Sequence, residues 1–283
     1  MSLPLFRYDG NSPIAFMGGI YGNVPALEAC LADAHSQGVG LYAFLGDMTG
    51  CCGHSDETIA KVRQQFQVVI AGNHEQKAAE GALVCGCGYS NPDDEKYGCL
   101  AHQYAMDSLS EKHRAWLQTL PDGALIETSQ GKLLLCHGSP DQTNEFLYES
   151  QLDNTRIEKW LDEFGAIGLG CTHTGIPWVW HLNDQRFAVN CGVVGKSDHD
   201  GDPAVHYALL RQRDCGFDVE IRRVVYDQES WAQQLEAEGV DAIFINPIRT
   251  GGWTTGVASM PEWEQQRAVL KNQECFLNTG KIF

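Results

Sequence analysis

The chain has 283 residues, 43% of them hydrophobic, and a formal net charge of −17 at pH 7. Its length allows one large domain or two small ones around a sizeable core, and its acidity argues against nucleic acid as a partner. No apolar run approaches the ~18 residues of a membrane span, so no membrane association is expected. The N-terminal MSLPLFRYDGNSP lacks the pattern of a secretory leader, and eleven cysteines scattered beside glycines do not form a disulfide framework. Both features predict a cytoplasmic protein with reduced thiols.

In chain order, Ile14–Met17 reads as a buried strand. A helix follows over about 24–37, with Asn23 as its cap, Pro25 in the first turn and Gly38 as the stop. Leu41–Leu45 is the next strand, then a short helix over 56–65 with Ser55 as candidate cap, then a strand over Val68–Ala71. This β-α-β-α-β opening predicts a parallel sheet core covered by helices. The stretch 77–121 breaks the alternation and reads as a helical insertion, with a helix over Glu111–Leu120 capped by Ser110. The insertion carries Cys85-Gly86-Cys87, followed by Cys99 and His102. That spacing is loose for a zinc knuckle and reads first as loop thiols.

From Lys132 strands dominate. Trp178–Leu182 and Arg186–Val189 predict a hairpin, and Ala204–Arg211 with Phe217–Val225 a second antiparallel pair. A helix over 229–238 ends at Gly239, and a further helix is predicted near 261–270. The expected organisation is one domain over 1–245 and a C-terminal extension, 246–283, packing on the same domain.

Several apolar runs end in short polar loops. Gly46-Asp47 follows LYAFL, Gly72-Asn73-His74-Glu75 follows VVIA, His137-Gly138 follows LLLC, and Cys171-Thr172-His173 follows AIGLG. Ligand-type side chains at the ends of separate strands are how a rigid sheet assembles a metal site. The loop after IAFM is different: Gly18-Gly19-Ile20-Tyr21-Gly22-Asn23 offers no carboxylate and no imidazole.

These loops, in this order, resemble the calcineurin-like metallophosphoesterase superfamily over roughly residues 14–240. GDMTGCCGHSDETIAKVR and NCGVVGKSDHDGDPAVHYALL are similar to segments of its small bacterial and archaeal members, and GNHE with HG is also the wording of its serine/threonine protein phosphatases. The resemblance implies a four-layer α/β sandwich, two mixed sheets packed face to face with helices outside. It implies two divalent ions about 3.5 Å apart that activate a water for attack on phosphorus. Asp47 then matches the bridging aspartate, Asn73 and His137 match ligands of the second metal, and His173 a ligand of the first. His74 matches the histidine that faces the phosphate and assists the leaving group. Tyr21 and Asn23, in the first loop, join His74 as candidate substrate-binding residues.

The departures are specific. The family's D-x-H becomes Gly19-Ile20-Tyr21, removing two ligands of the first metal, and its G-H-T-H becomes Gly170-Cys171-Thr172-His173. A thiolate at Cys171 favours softer ions such as zinc or iron. The expected cofactor is one or two divalent ions of manganese, iron or zinc. The expected activity is hydrolysis of a phosphomonoester, on a phosphorylated small molecule or a phosphoprotein. The alternatives are a degenerate member that binds a phosphorylated ligand or partner without turnover, and a non-catalytic scaffold.

Overall fold

The computed structural model describes residues 3–266. The opening follows the alternation read from the sequence: strands β2 (Ile14–Met17), β3 (Leu41–Phe44) and β4 (Val68–Val69), with helices α1 (Val24–Ser36) and α2 (Ser55–Gln65) between them. The edge strand β1 (Leu5–Arg7) precedes them. Three helices follow β4: α3 (Asn73–Glu80), α4 (Pro92–Asp107) and α5 (Glu111–Leu117). The second half holds β5 (Gly123–Thr128), β6 (Gly131–Cys136), α6 (Asn154–Phe164), β7 (Ala166–Cys171), β8 (Trp178–His181) and β9 (Phe187–Asn190). Then come β10 (Val205–Gln212), β11 (Phe217–Val224), α7 (Gln228–Ala237), α8 (Ala242–Thr250) and α9 (Glu262–Gln265).

The strands form two mixed sheets, ordered β11-β10-β2-β3-β4 and β1-β5-β6-β7-β9-β8. β2, β3 and β4 run parallel in the first, and β6, β7 and β9 run parallel in the second. Between the sheets lie Ile14, Phe16, Leu41, Ala43 and Leu45 from one and Ile126, Leu133, Leu135, Phe187 and Val189 from the other. On the outer face of the first sheet, α1, α2, α7 and α8 bury Leu27, Ile59, Trp231 and Ile248 against Met17, Phe44, Tyr207 and Leu209. On the outer face of the second, α6 buries Ile157, Trp160 and Leu161 against Leu134 and Leu169. The result is four layers: helices, sheet, sheet, helix. Ligands in such α/β architectures collect at the carboxyl ends of the parallel strands, and every loop singled out above leaves one of those ends.

Local chemistry explains most boundaries. The Asn23 side chain accepts from the Ala26 N–H, and Pro25 sits where a helix needs no N–H. Ser55 does not cap α2: the cap is His54, in left-handed backbone at φ 52°, while the Ser55 hydroxyl donates to Ala105 O. β4 is two residues shorter than expected. α5 starts at the predicted Ser110 cap and ends at Leu117. β1, β5, α6 and α8 were not anticipated, and Asn73-His74-Glu75, read as a loop, forms the first turn of α3 behind the Gly72 cap. Pro247 inside α8 removes an N–H that would have bonded to Ile243 O, and the Thr254 hydroxyl takes its place. Of the helix expected near 261–270, α9 is described and the remainder lies outside the described residues. No helix among the described residues is long and apolar enough to cross a membrane.

Candidate metal centre

Asp47 leaves the end of β3 in left-handed backbone, at φ 63°. Its loop is held by Glu75, a buried carboxylate that accepts from Asp47 N (2.6 Å), Gly72 N (2.9 Å) and Met48 N (2.9 Å). Gly72 is required beside it, because a Cβ there would lie 2.3 Å from Asp47 Oδ1. That oxygen accepts from His74 N, so α3 and the Asp47 loop fix one another. Burial raises the Glu75 carboxyl, and the adjacent Asp47 charge raises it further.

His137 leaves the end of β6. Its Nδ1 lies 2.6 Å from Leu45 O, a carbonyl that can only accept, so Nδ1 carries the proton and Nε2 presents a lone pair. Nε2 faces two neighbours, Asp47 Oδ2 at 3.2 Å and His173 Nδ1 at 3.2 Å. His173, at φ 61°, is framed by Thr172 N donating to His137 O and by Asn190 Nδ2 donating to Thr172 O. Donor atoms bound to one ion at ~2.1 Å in tetrahedral geometry lie about 3.4 Å apart, so both edges at His137 Nε2 match a single metal site, and all three ligand atoms lie within 4.8 Å of one another. The buried Asn73 Oδ1 has no hydrogen-bond partner among the described residues, as expected of a lone pair left for a cation. The residues present therefore fit a divalent cation.

Electrostatics agree. Burial opposes ionisation of Asp47, but the His137 and His74 charges outweigh it and hold the carboxyl below its usual range. Burial opposes protonation of His137, yet Asp47 outweighs it and the imidazole is raised. Burial, with His137 adding, pushes His173 down to about 3, so this ring is neutral and able to ligate.

The remaining predicted residues divide. His74 lines the cleft, with its Nε2 3.5 Å from Cys87 Sγ. Tyr21 lines it too, at φ 54°, with its ring edge-on to His74. The Asn73 amide nitrogen donates to Cys85 O at 3.1 Å. Cys171 is not brought to the centre. On β7, Gly168 and Gly170 face the inter-sheet core, so the alternation turns Leu169 and Cys171 toward α6, where Cys171 packs with Leu134 and Trp160. Burial raises its thiol well above the ordinary value. Asn23 does not face a ligand either: it is fully buried, its oxygen caps α1, and its Nδ2 donates to Gly195 O and Tyr226 Oη. Gly19 cannot be an aspartate here without rearrangement, because a Cβ would lie 2.3 Å from Val193 Cγ1.

Four features lay outside the predicted site. Glu75 organises the Asp47 loop; its place three residues after Gly72 is a capping signal that reads equally well as plain helix chemistry. Lys196, in the loop after β9, lines the cleft with Nζ 3.6 Å from the Trp253 ring centroid. It has no ion-pair partner among the described residues, and burial pushes its ammonium down to about 8. Cys87 brings the insertion loop to the cleft, beside Tyr89, Phe146 and Tyr148. Trp253 closes another side, anchored by its Nε1 on Ser197 O and its N–H on His199 Nδ1. His54 lies away from the centre, paired with Glu238.

A four-layer sandwich with a buried carboxylate–imidazole cluster at its strand ends is the architecture of a metallophosphoesterase. The profile of the calcineurin-like phosphoesterases matches residues 12–244, and the chain belongs to that family. An uncharacterised protein of Methanocaldococcus jannaschii is 26% identical over 234 residues, covering 76% of this chain and 88% of that one. The fold is similar to that of a metallophosphoesterase from Sphaerobacter thermophilus, at 23% identity and TM-score 0.66, covering 86% of this chain and all of that one. It is also similar to a hypothetical protein of Pyrococcus horikoshii OT3, at 20% identity and TM-score 0.67, covering 85% and 99%.

Proposed function

We propose that the protein hydrolyses a phosphomonoester at a single-ion centre built from Asp47, His137 and His173. The observation that carries this reading is the pair of 3.2 Å separations around His137 Nε2, which gather onto one point ligands that the family distributes over two ions. Asp47, His137 and His173 would hold a divalent ion, whose chemistry when bound would be to lower the pKa of a water and offset charge on the phosphoryl oxygens. His74, on the cleft wall, donates a proton to the leaving oxygen. Lys196 and the Tyr21 hydroxyl donate to phosphoryl oxygens, in the region where the first loop offers no metal ligand. Tyr89, Phe146, Tyr148 and Trp253 give the cleft an aromatic wall, which favours a small organic phosphate over a phosphoserine or phosphothreonine on a folded protein.

Gly19 and Tyr21 favour a second reading, binding of a phosphorylated ligand without turnover. One experiment separates the two: metal analysis of the purified protein, followed by a phosphate-release screen with added Mn, Fe, Zn and Mg. Metal-dependent release from a phosphomonoester supports hydrolysis. Metal binding without release from any phosphoester supports the second reading.

A further inference from the structure

Outside the cleft, a second group of soft ligand atoms converges. Cys85 lies in the loop before α4, and Glu95 and Cys99 lie on that helix. Their i,i+4 spacing puts Glu95 and Cys99 on one face. Glu95 Oε1 stands 4.0 Å from Cys85 Sγ and 3.9 Å from Cys99 Sγ, and all three ligand atoms lie within 4.8 Å of one another. Glu95 forms no ion pair among the described residues. Sulfur and oxygen ligands of one tetrahedral zinc ion lie about 3.5 Å apart, so a contraction of roughly half an ångström brings both sulfur–oxygen edges to that geometry.

We propose that Cys85, Glu95 and Cys99 form a zinc site, distinct from the Asp47 centre, with the fourth position open to solvent. The two thiols donate to a carboxylate that has no ion-pair partner among the described residues, and a divalent ion would displace both protons and neutralise the three anions left. Two thiolates with one carboxylate select zinc over manganese or magnesium. The Cys87 N–H donates to Cys85 Sγ at 3.3 Å, the kind of backbone contact that orients a thiolate toward a metal. Gly86 and Gly88, at φ 66° and 81°, let the loop turn tightly enough to bring Cys85 onto α4.

The site would tie the insertion loop to α4 and hold Cys87 where it is, with Sγ 3.5 Å from both His74 Nε2 and Asn73 Nδ2. Its ion is therefore structural: it fixes one wall of the cleft and takes no part in the chemistry there.

The test uses the reduced full-length protein, loaded anaerobically with Co²⁺ and separately with Zn²⁺. Cobalt bound to thiolates absorbs strongly in the near ultraviolet, whereas cobalt on carboxylate and imidazole does not. The expected result is a thiolate band that persists in Asp47→Asn and disappears in the Cys85→Ser/Cys99→Ser double variant and in Glu95→Gln, each with one fewer equivalent of zinc. Zinc should also protect Cys99, the partly exposed thiol of the pair, from iodoacetamide in the unmutated protein, read by peptide mass spectrometry, which needs no variant to fold. Absence of the band, its survival in the double variant, or equal alkylation with and without zinc would overturn the proposal.

Discussion

The His137 Nε2 atom stands 3.2 Å from His173 Nδ1, and in the neutral His137 ring, whose Nδ1–H is committed to Leu45 O, Nε2 presents a lone pair to it. Two facing imidazole nitrogens beside a buried carboxylate are held together either by a proton or by a metal ion. The unpartnered Asn73 Oδ1 adds a lone pair that suits the metal.

The first prediction concerns stoichiometry. Mn²⁺, which thiolates bind poorly, should bind as one equivalent, and Asp47→Asn, His137→Gln and His173→Gln should each abolish it in calorimetry. Retention of a tight equivalent in His173→Gln would instead assign His173 to a separate ion. His137 is protonated more readily than an ordinary histidine, so metal must displace a proton from it, and apparent affinity should rise as pH increases through neutrality.

His74→Ala should keep metal and lower turnover of alkyl phosphates by about 10²-fold or more. The loss should shrink for aryl phosphates, whose leaving groups need little protonation. An equal loss on both classes would remove His74 from the leaving-group role.

Lys196 titrates near 8 because burial penalises its charge. If it binds the phosphoryl group, kcat/KM should fall as pH rises through about 8, since the cation is present below that value and lost above it. Lys196→Arg should carry activity past this limit, because guanidinium stays charged. Lys196→Gln should weaken competitive inhibition by inorganic phosphate while leaving Mn²⁺ content unchanged.

Asp33 offers a test of the fold apart from the centre. Arg222 donates to its carboxylate through Nε and Nη2, at 3.1 and 2.9 Å, and the Tyr207 hydroxyl adds a third bond at 2.7 Å, pinning α1 to β10 and β11. The Arg222 hydrogen bonds hold the Asp33 carboxyl below its usual range. Stability from a lowered carboxyl is present above the unfolded pKa and lost as pH falls through the folded one. Asp33→Asn should therefore cost about 1–3 kcal/mol in urea unfolding at pH 7, and the two proteins should converge in acid.

The alternation of strands and helices was legible because buried strands and capped helices each carry a local signal, as in Ile14–Met17 followed by the Asn23 cap. β1 was not, because an edge strand of three residues has no periodicity to read. α8 was hidden by Pro247, whose missing bond is made good only by a residue seven positions on. At the centre, residue type was legible and direction was not. Cys171 has the right chemistry at the right strand end, yet it faces α6, and the parity of a single residue on β7 decides this. Lys196, Cys87 and Trp253 reach the cleft through loops, where neither spacing nor composition encodes the approach. Nor does any local pattern in the chain reveal that His137 and His173 share one point.

Tyr21, Asp47 and His173 all hold left-handed backbone, at φ 54°, 63° and 61°. Each such conformation costs a non-glycine residue about 1 kcal/mol or more. The fold thus carries a standing penalty at the very residues that converge on the cleft. Removing it would make a sturdier and emptier molecule: His173→Gly should raise the melting temperature of the metal-free chain while abolishing ion uptake. In the unmutated protein, a bound ion should offset the same penalty, so that the metal-loaded form melts higher by an amount that grows with the logarithm of ion concentration. Heat resistance and metal occupancy would then be two readouts of one backbone strain.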